Sequence, residues 1–380
     1  MGFFRFFKRK KQDKPPKKIE PDKPPKKSVL EEKPEHKIQI SFEINIEKNE
    51  SSLDVHPVYK RKFPNGLLPG EVFLLDWVNG HEEDGYFPGY FSYKYAIDAQ
   101  ASLKKLMREG FLRYQTPEES LPSLKVTELK DILRANGLKV SGRKKELIER
   151  IKENLSEDEY APFIKKRFYT VTEKGAQVLN DYYYIAPAHW YSTRDGVYDV
   201  ASAIEYVEKV KGRPTNDEIA LALIQQDYEV KLQEKNFNGL RCAVFNMYEY
   251  LAKKRQEYEA FDYLLRVFII DLSGLEFENY LSKPERVLLA PGIITAIKEK
   301  AEKLHYDKKK LKVVFSKSWA IIRPVLPFHY LSEETCFQCL LYAFEEDYED
   351  KIRGILKKAY NNLDLEALKQ SGFKFFGEWF

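Results

Sequence analysis

Between residues 124 and 155, apolar side chains recur three and four positions apart in two short runs, with a glycine between them. Leu129, Ile132 and Leu133 share one face of a first helix. Thr127 is its expected N-cap, and Gly137 ends it as a C′ glycine. The connection is Leu138-Lys139-Val140. Ser141 is the expected cap of a second helix whose buried stripe is Leu147, Ile148, Ile151 and Leu155, with Leu124 and Val126 closing the core from the N-terminal side. Helices this short are marginal alone in water. The pattern therefore demands a hairpin of two helices joined across a small apolar seam.

Charge singles out the same stretch. Residues 120–155 hold nine basic and five acidic side chains. The whole chain has 63 basic and 59 acidic residues, and residues 1–27 alone contribute eleven of the first kind and three of the second. Beyond the tail the chain is net acidic, so the basic hairpin is a local patch. Arg143, Lys144 and Lys145 fall in the first turn of the second helix, where the helix dipole disfavours cations and free N–H groups favour phosphate. Their placement there points to an anionic partner, and Lys139 extends the patch. Such contacts give affinity and salt dependence but little sequence information. The same charges also suit a solvated face or a protein-docking hairpin.

The run Leu124-x-Val126-x-x-Leu129-Lys130-x-x-Leu133-x-x-x-Gly137-Leu138, followed by Ser141-Gly142-Arg143-Lys144-x-x-Leu147-Ile148-x-Arg150-Ile151, resembles a SAP domain over about a tenth of the chain. The resemblance implies a module at 119–159 that binds duplex DNA, often AT-rich, mostly through the backbone. Lys139, Ser141, Gly142, Arg143, Lys144 and Lys145 would make the contact. Helix-extended-loop-helix and LEM-like modules share the shape.

The flanking segments resemble a winged helix. Pro69 opens a helix through Val72, Phe73, Leu74, Leu75, Trp77 and Val78, and Gly80 stops it. Asp98 caps a second helix with Leu103, Leu106 and Met107 inward, closed by Gly110. Phe111 to Tyr114 reads as a strand. After the hairpin come Phe168 to Val171, then Thr172-Glu173-Lys174-Gly175 and a helix through Val178 and Leu179. The resemblance implies a winged-helix-like α+β domain over 51–118 and 160–186, with the SAP module inserted at the wing tip, where loops tolerate insertions. Gln100, Lys104, Lys105 and Arg108 would face DNA from the helix at 98–109.

Residues 190–380 read as an all-helical domain, with amphipathic segments near 197–211, 216–235, 238–255, 257–271, 292–304, 333–345 and 348–360. Thr215-x-x-Glu218 and Ser282-x-x-Glu285 are capping-box patterns. The fold class is thus mostly α. A helical half of this kind suits oligomerisation or a protein partner. Residues 1–50 form a Lys/Pro-rich tail expected to be disordered. Ile38 to Ile46 alternates like a short strand. Phe3-Phe4-Arg5-Phe6-Phe7 followed by lysines could touch a membrane surface or nucleic acid. Phe6 stands where a myristoylation motif needs Ser or Thr.

Few other chemistries find support. Three cysteines make no disulfide framework, and with no secretory signal or membrane span in view a cytoplasmic setting is expected. Cys336-Phe337-Gln338-Cys339 is one CxxC where zinc needs four ligands; it reads as buried core thiols. Glu229-Val230-Lys231 has a nuclease-like spacing but lies in a charged helix. The six histidines are scattered, and only His189 follows an apparent element end. The expectation is a DNA-binding protein with no catalytic residues, metal or cofactor. The alternative is a non-enzymatic scaffold, associated with a membrane surface through its N-terminus.

Overall fold

The computed structural model describes residues 55–375, apart from 84 and 288. The Lys/Pro-rich tail, its membrane or nucleic-acid reading and the strand at 38–46 lie outside the described residues. In chain order the first half holds α1 (Pro69–Val78), α2 (Tyr90–Tyr93), α3 (Ala99–Arg108), β1 (Leu112–Tyr114), α4 (Pro117–Ser120), α5 (Val126–Ala135), α6 (Lys144–Asn154), α7 (Glu157–Tyr160), β2 (Tyr169–Val171), α8 (Glu173–Asp181) and α9 (Ile185–Trp190). The second half holds α10 (Val200–Lys209), α11 (Asn216–Gln233), α12 (Phe237–Lys253), α13 (Glu257–Asp271), β3 (Tyr280–Leu281), α14 (Pro291–Lys303), α15 (Lys308–Ile322), α16 (Glu333–Tyr342), α17 (Tyr348–Asn361), α18 (Leu365–Gln370) and β4 (Lys374–Phe375). The chain is mostly helical. No helix among the described residues is long and apolar enough to cross a membrane.

α1 begins at a proline, whose missing N–H costs nothing at a first helical position. Its residues Val72, Phe73, Leu74 and Leu75 are all buried. A helix apolar on every side belongs in a core, and α3, α8 and α9 pack around it. The strand signals at 111–114 and 168–171 meet: β1 and β2 pair antiparallel with Leu112 opposite Val171 and Tyr114 opposite Tyr169. Glu82 adds an antiparallel bridge to Phe168 on the other side of β2.

The Thr-x-Lys-Gly segment serves the end of α3. Thr172 Oγ1 donates to the Gly110 carbonyl at 2.7 Å, and Lys174 Nζ donates to the Glu109 carbonyl at 2.9 Å. Two carbonyls beyond the last helical hydrogen bonds are satisfied this way. Gly175 lets the two segments touch, because a Cβ there would lie 2.2 Å from the Phe111 carbonyl oxygen.

Three apolar cores result. The first runs from Val58 to Ala260, so Tyr198, Val200 and Ile204 share it with α1 across the expected boundary at residue 190. The second runs from Phe237 to Phe375. α12 belongs to both, with Leu240 and Val244 in the second and Met247, Tyr250 and Leu251 in the first. The third lies within 121–168 and includes the hairpin seam.

Several expectations need correction. α5 is capped by Lys125 and α6 by Arg143, not by Thr127 and Ser141. In each case a glutamate at the third helical position accepts the cap residue's amide: Glu128 from Lys125 at 2.6 Å, Glu146 from Arg143 at 3.1 Å. Val126 is exposed and closes no core. Thr215 does form its capping box with Glu218. Ser282 opens no helix; its hydroxyl donates to Glu276 and its amide to the Gly274 carbonyl. The C-terminal half is not all helical, since β3 and β4 pair in parallel. The one-turn α2 sits inside the Gly/Pro/Tyr-rich loop, and α15 and α18 were not anticipated. His189 lies inside α9, stacked on Phe73 at 4.1 Å, with Nδ1 at 2.7 Å from the Tyr95 hydroxyl.

Two measurements test this packing. Gly175→Ala must push a backbone carbonyl aside, so we expect a loss of about 2 kcal/mol or more in denaturant unfolding. His329 is buried with Nε2 at 3.0 Å from the Ile269 carbonyl and Nδ1 accepting from the Leu331 amide at 3.0 Å. Burial lowers its pKa to about 4. A depressed folded pKa means the stabilisation is full above the ordinary histidine value and is lost as pH falls toward 4. Unfolding curves at pH 7 and pH 5 should show His329→Gln losing about 2 kcal/mol less than the unaltered protein over that interval.

Candidate nucleic-acid interface

The hairpin is built on Leu129, Ile132 and Leu133 of α5 against Leu147 and Ile151 of α6, all five fully buried. Ile148 and Leu155 are only partly covered. α5 ends with Leu138 donating its amide to the Leu133 carbonyl at 2.8 Å, and Gly137 occupies the left-handed position. Leu121, Leu124, Tyr160 and Phe168 complete the seam. Phe168 thus has its backbone beside the β1–β2 ladder and its side chain in the hairpin core. Other ties reinforce the mount: Gln115 N–H donates to the Phe168 carbonyl at 2.8 Å, and Lys152 meets Glu118 at 2.6 Å. Arg113 of β1 grips Glu119 with both arms at 2.7 Å, and that hydrogen bonding holds the Glu119 carboxyl down at about 2.

The connection between α5 and α6 is held from below. Arg150 of α6 donates from one nitrogen to the Lys139 carbonyl at 2.5 Å and to the Ser141 carbonyl at 3.0 Å. Gly142 has φ +135°, and a Cβ there would lie 2.6 Å from the Glu146 carboxylate. The turn therefore needs a glycine at 142, because L side chains rarely adopt that backbone angle, whereas the Glu146 carboxylate is the mobile end of a side chain. The first-turn amides of α6 have no acceptor within the helix.

The sequence-derived candidates differ in their surroundings. Lys139 and Arg143 are exposed and make no ion pair among the described residues. Lys145 is exposed, with Glu149 one turn away at 3.7 Å. Lys144 is half-buried and donates to the Pro122 carbonyl at 2.6 Å, so it ties α6 to the segment before α5. Ser141 and Gly142 shape the turn. On α3, Gln100, Lys104 and Arg108 are exposed, but Lys105 is not free as expected. Its ammonium sits 2.8 Å from Glu71, a carboxylate only 4% exposed. It holds α3 to α1.

Arg150 and Glu146 were missed. The signal for Glu146 was present as a residue-x-x-Glu spacing with an arginine where a hydroxyl is usual. Arg150 stood among the residues of the SAP resemblance, but nothing local marked its role in the turn, because its acceptors are main-chain atoms. Lys165 also lies exposed beyond the hairpin, whereas its neighbours Lys166 and Arg167 are paired with Glu82 and Glu83 at 2.6 Å.

Residues 120–156 match the SAP domain. The match covers the whole hairpin, from the helical turn before α5 to the end of α6. No curated protein and no solved structure gives a match to the chain. The SAP domain is a DNA-binding module, and its presence supports binding of nucleic acid.

Among the described residues no group of His, Cys, Asp or Glu is placed to hold a metal. Cys336 and Cys339 are buried in α16, and burial pushes the Cys339 thiol up to about 12. Lys231 of the Glu-x-Lys pair lies 3.4 Å from Glu234 and 3.9 Å from Asp227 on its own helix.

The SAP hairpin thus carries a carboxylate, Glu146, in the first turn of α6 beside Arg143 and Lys145. Glu146→Gln keeps the cap acceptor and removes the charge. In a duplex titration at low salt we expect roughly two- to fivefold tighter binding, the range of a single helix-terminus charge.

Proposed function

We propose that the chain is a non-enzymatic protein that binds duplex DNA by phosphate contacts from the SAP hairpin. The observation that carries this reading is the turn between α5 and α6. Arg150 fixes it from below, and it joins Lys139 and Arg143, exposed cations with no ion pair among the described residues, to the first-turn amides of α6. A rigid turn with two free cations and a helix N-terminus is a phosphate site of ordinary design. Lys144 and Lys145 flank it and add to the field.

The surrounding domain is read as a winged helix split by the SAP hairpin. Support comes from the order of its parts: α1, the Glu82 bridge, α2, α3, then β1 and β2 paired across the insertion. In that arrangement α3 is the second DNA-facing element, through Gln100, Lys104 and Arg108.

Fluorescence anisotropy with a labelled duplex, titrated across salt, tests the reading. The background is protein lacking residues 1–27, because that segment's net positive charge would add its own phosphate affinity. Lys139→Glu with Arg143→Glu should weaken binding by tenfold or more at low salt and reduce the salt slope by about 2, close to one unit per lost phosphate contact. Unchanged affinity would remove the SAP hairpin as the DNA site. A further loss from Lys104→Glu with Arg108→Glu is expected if α3 also touches the duplex.

A further inference from the structure

Away from the interface, one cavity holds a charged group without a partner among the described residues. It lies between α1, α8 and α9 and has a volume of about 340 Å³. Its walls include Val72, Asp76, Tyr182, Tyr183, Trp190 and Tyr191. Asp76 is half-buried, and its carboxylate makes no hydrogen bond and no ion pair among the described residues. Shielded carboxylates normally find a cation or donors, because desolvating a charge is costly. Others in this chain do: Asp262 has Arg266, Asp271 has Arg241 at 2.9 Å, and Glu257 has Lys300 at 2.6 Å. Asp76 is the exception, and burial raises its carboxyl above the ordinary value.

The rings around it have the complementary property. An aromatic face attracts a cation, and tryptophan does so best. Two of the tyrosines already show it: the Arg213 guanidinium lies 4.3 Å from the centre of Tyr183, and the Lys254 ammonium 5.1 Å from that of Tyr191. Lys254 is itself paired with Asp217 at 2.8 Å, so it does not serve Asp76. Tyr182 stacks on Phe63 at 4.0 Å. Trp190 meets Phe73 and His189 in T-shaped contacts, carries no cation among the described residues and is 53% exposed. An uncovered indole and an unpaired carboxylate therefore border the same cavity.

We propose that this cavity binds an alkylammonium group, held by the Asp76 carboxylate and the aromatic face of Trp190. The volume suits a head group with a short carbon chain. The same chemistry is offered by a free amine and by a lysine side chain, methylated or not, on another polypeptide.

Calorimetry or ligand-observed NMR on the full chain can decide this with defined probes. Choline and 3,3-dimethylbutan-1-ol have nearly the same shape and differ in charge. The unaltered protein should bind choline saturably and the alcohol at least tenfold more weakly. Asp76→Asn removes no contact within the protein, and it should weaken choline at least tenfold while leaving the alcohol unchanged. Trp190→Ala should also weaken choline. Equal binding of the two probes, no saturable binding of choline, or choline binding insensitive to Asp76→Asn would overturn the proposal. Comparing n-butylamine with capped lysine and capped trimethyllysine then separates the sources: tighter binding of the free amine supports a small-molecule ligand, and tighter binding of a capped lysine supports a side chain.

Discussion

Three residue pairs between β1 and β2 position nearly everything around the hairpin. The strands lie more than fifty residues apart in sequence, so closing them is entropically unfavourable unless the intervening segment is itself compact. The hairpin supplies that compactness through its own apolar seam. In return the ladder fixes both ends of the insertion. Tyr114 stacks on Tyr169 at 5.3 Å across the ladder, and Arg167 covers Tyr114 at 4.3 Å. The same ladder brings Thr172 and Lys174 to the open carbonyls after α3. Without the pairing, the carbonyls at the end of α3 would lose the donors Thr172 and Lys174, and α8 its starting point.

Much of this was legible in the residues. The periodic spacing of Leu129, Ile132, Leu133, Leu147 and Ile151 gave the hairpin seam, because short amphipathic helices leave few alternatives. Asp98 and Thr215 were recognisable as caps, since their side chains bond locally. What escaped was non-local or atypical. Lys125 and Arg143 cap their helices with help from a glutamate, so the usual hydroxyl signal misplaced both starts. Lys105 looked like a surface lysine because Glu71 lies more than thirty positions away in sequence. The boundary near residue 190 followed a change in pattern, yet Tyr198, Val200 and Ile204 pack into the same core as Phe73 and Leu74. Hydrophobic periodicity shows which face is buried, not which neighbour buries it.

Charge in the first half follows one rule with few exceptions. Glutamates at the third helical position take up amides at Leu68, Thr116, Lys125, Arg143 and Ser156. Most cations near the ladder are matched by acids: Arg113 by Glu119, Lys166 by Glu82, Arg167 by Glu83. Such exposed pairs contribute little to stability, but they cancel local fields. The basic residues left unmatched, Lys139 and Arg143 among them, are therefore the ones whose field reaches outward.

Phe168 joins two structures that a reader of the sequence would keep separate. Its backbone borders the ladder while its side chain fills the hairpin seam. A module tethered by flexible linkers explores a wide volume, and a second contact must then be found by search. Here the hairpin cannot pivot without unmaking its own core. It behaves as a fixed prong rather than a tethered hook, so whatever surface the prong touches is met by the rest of the domain at one set angle.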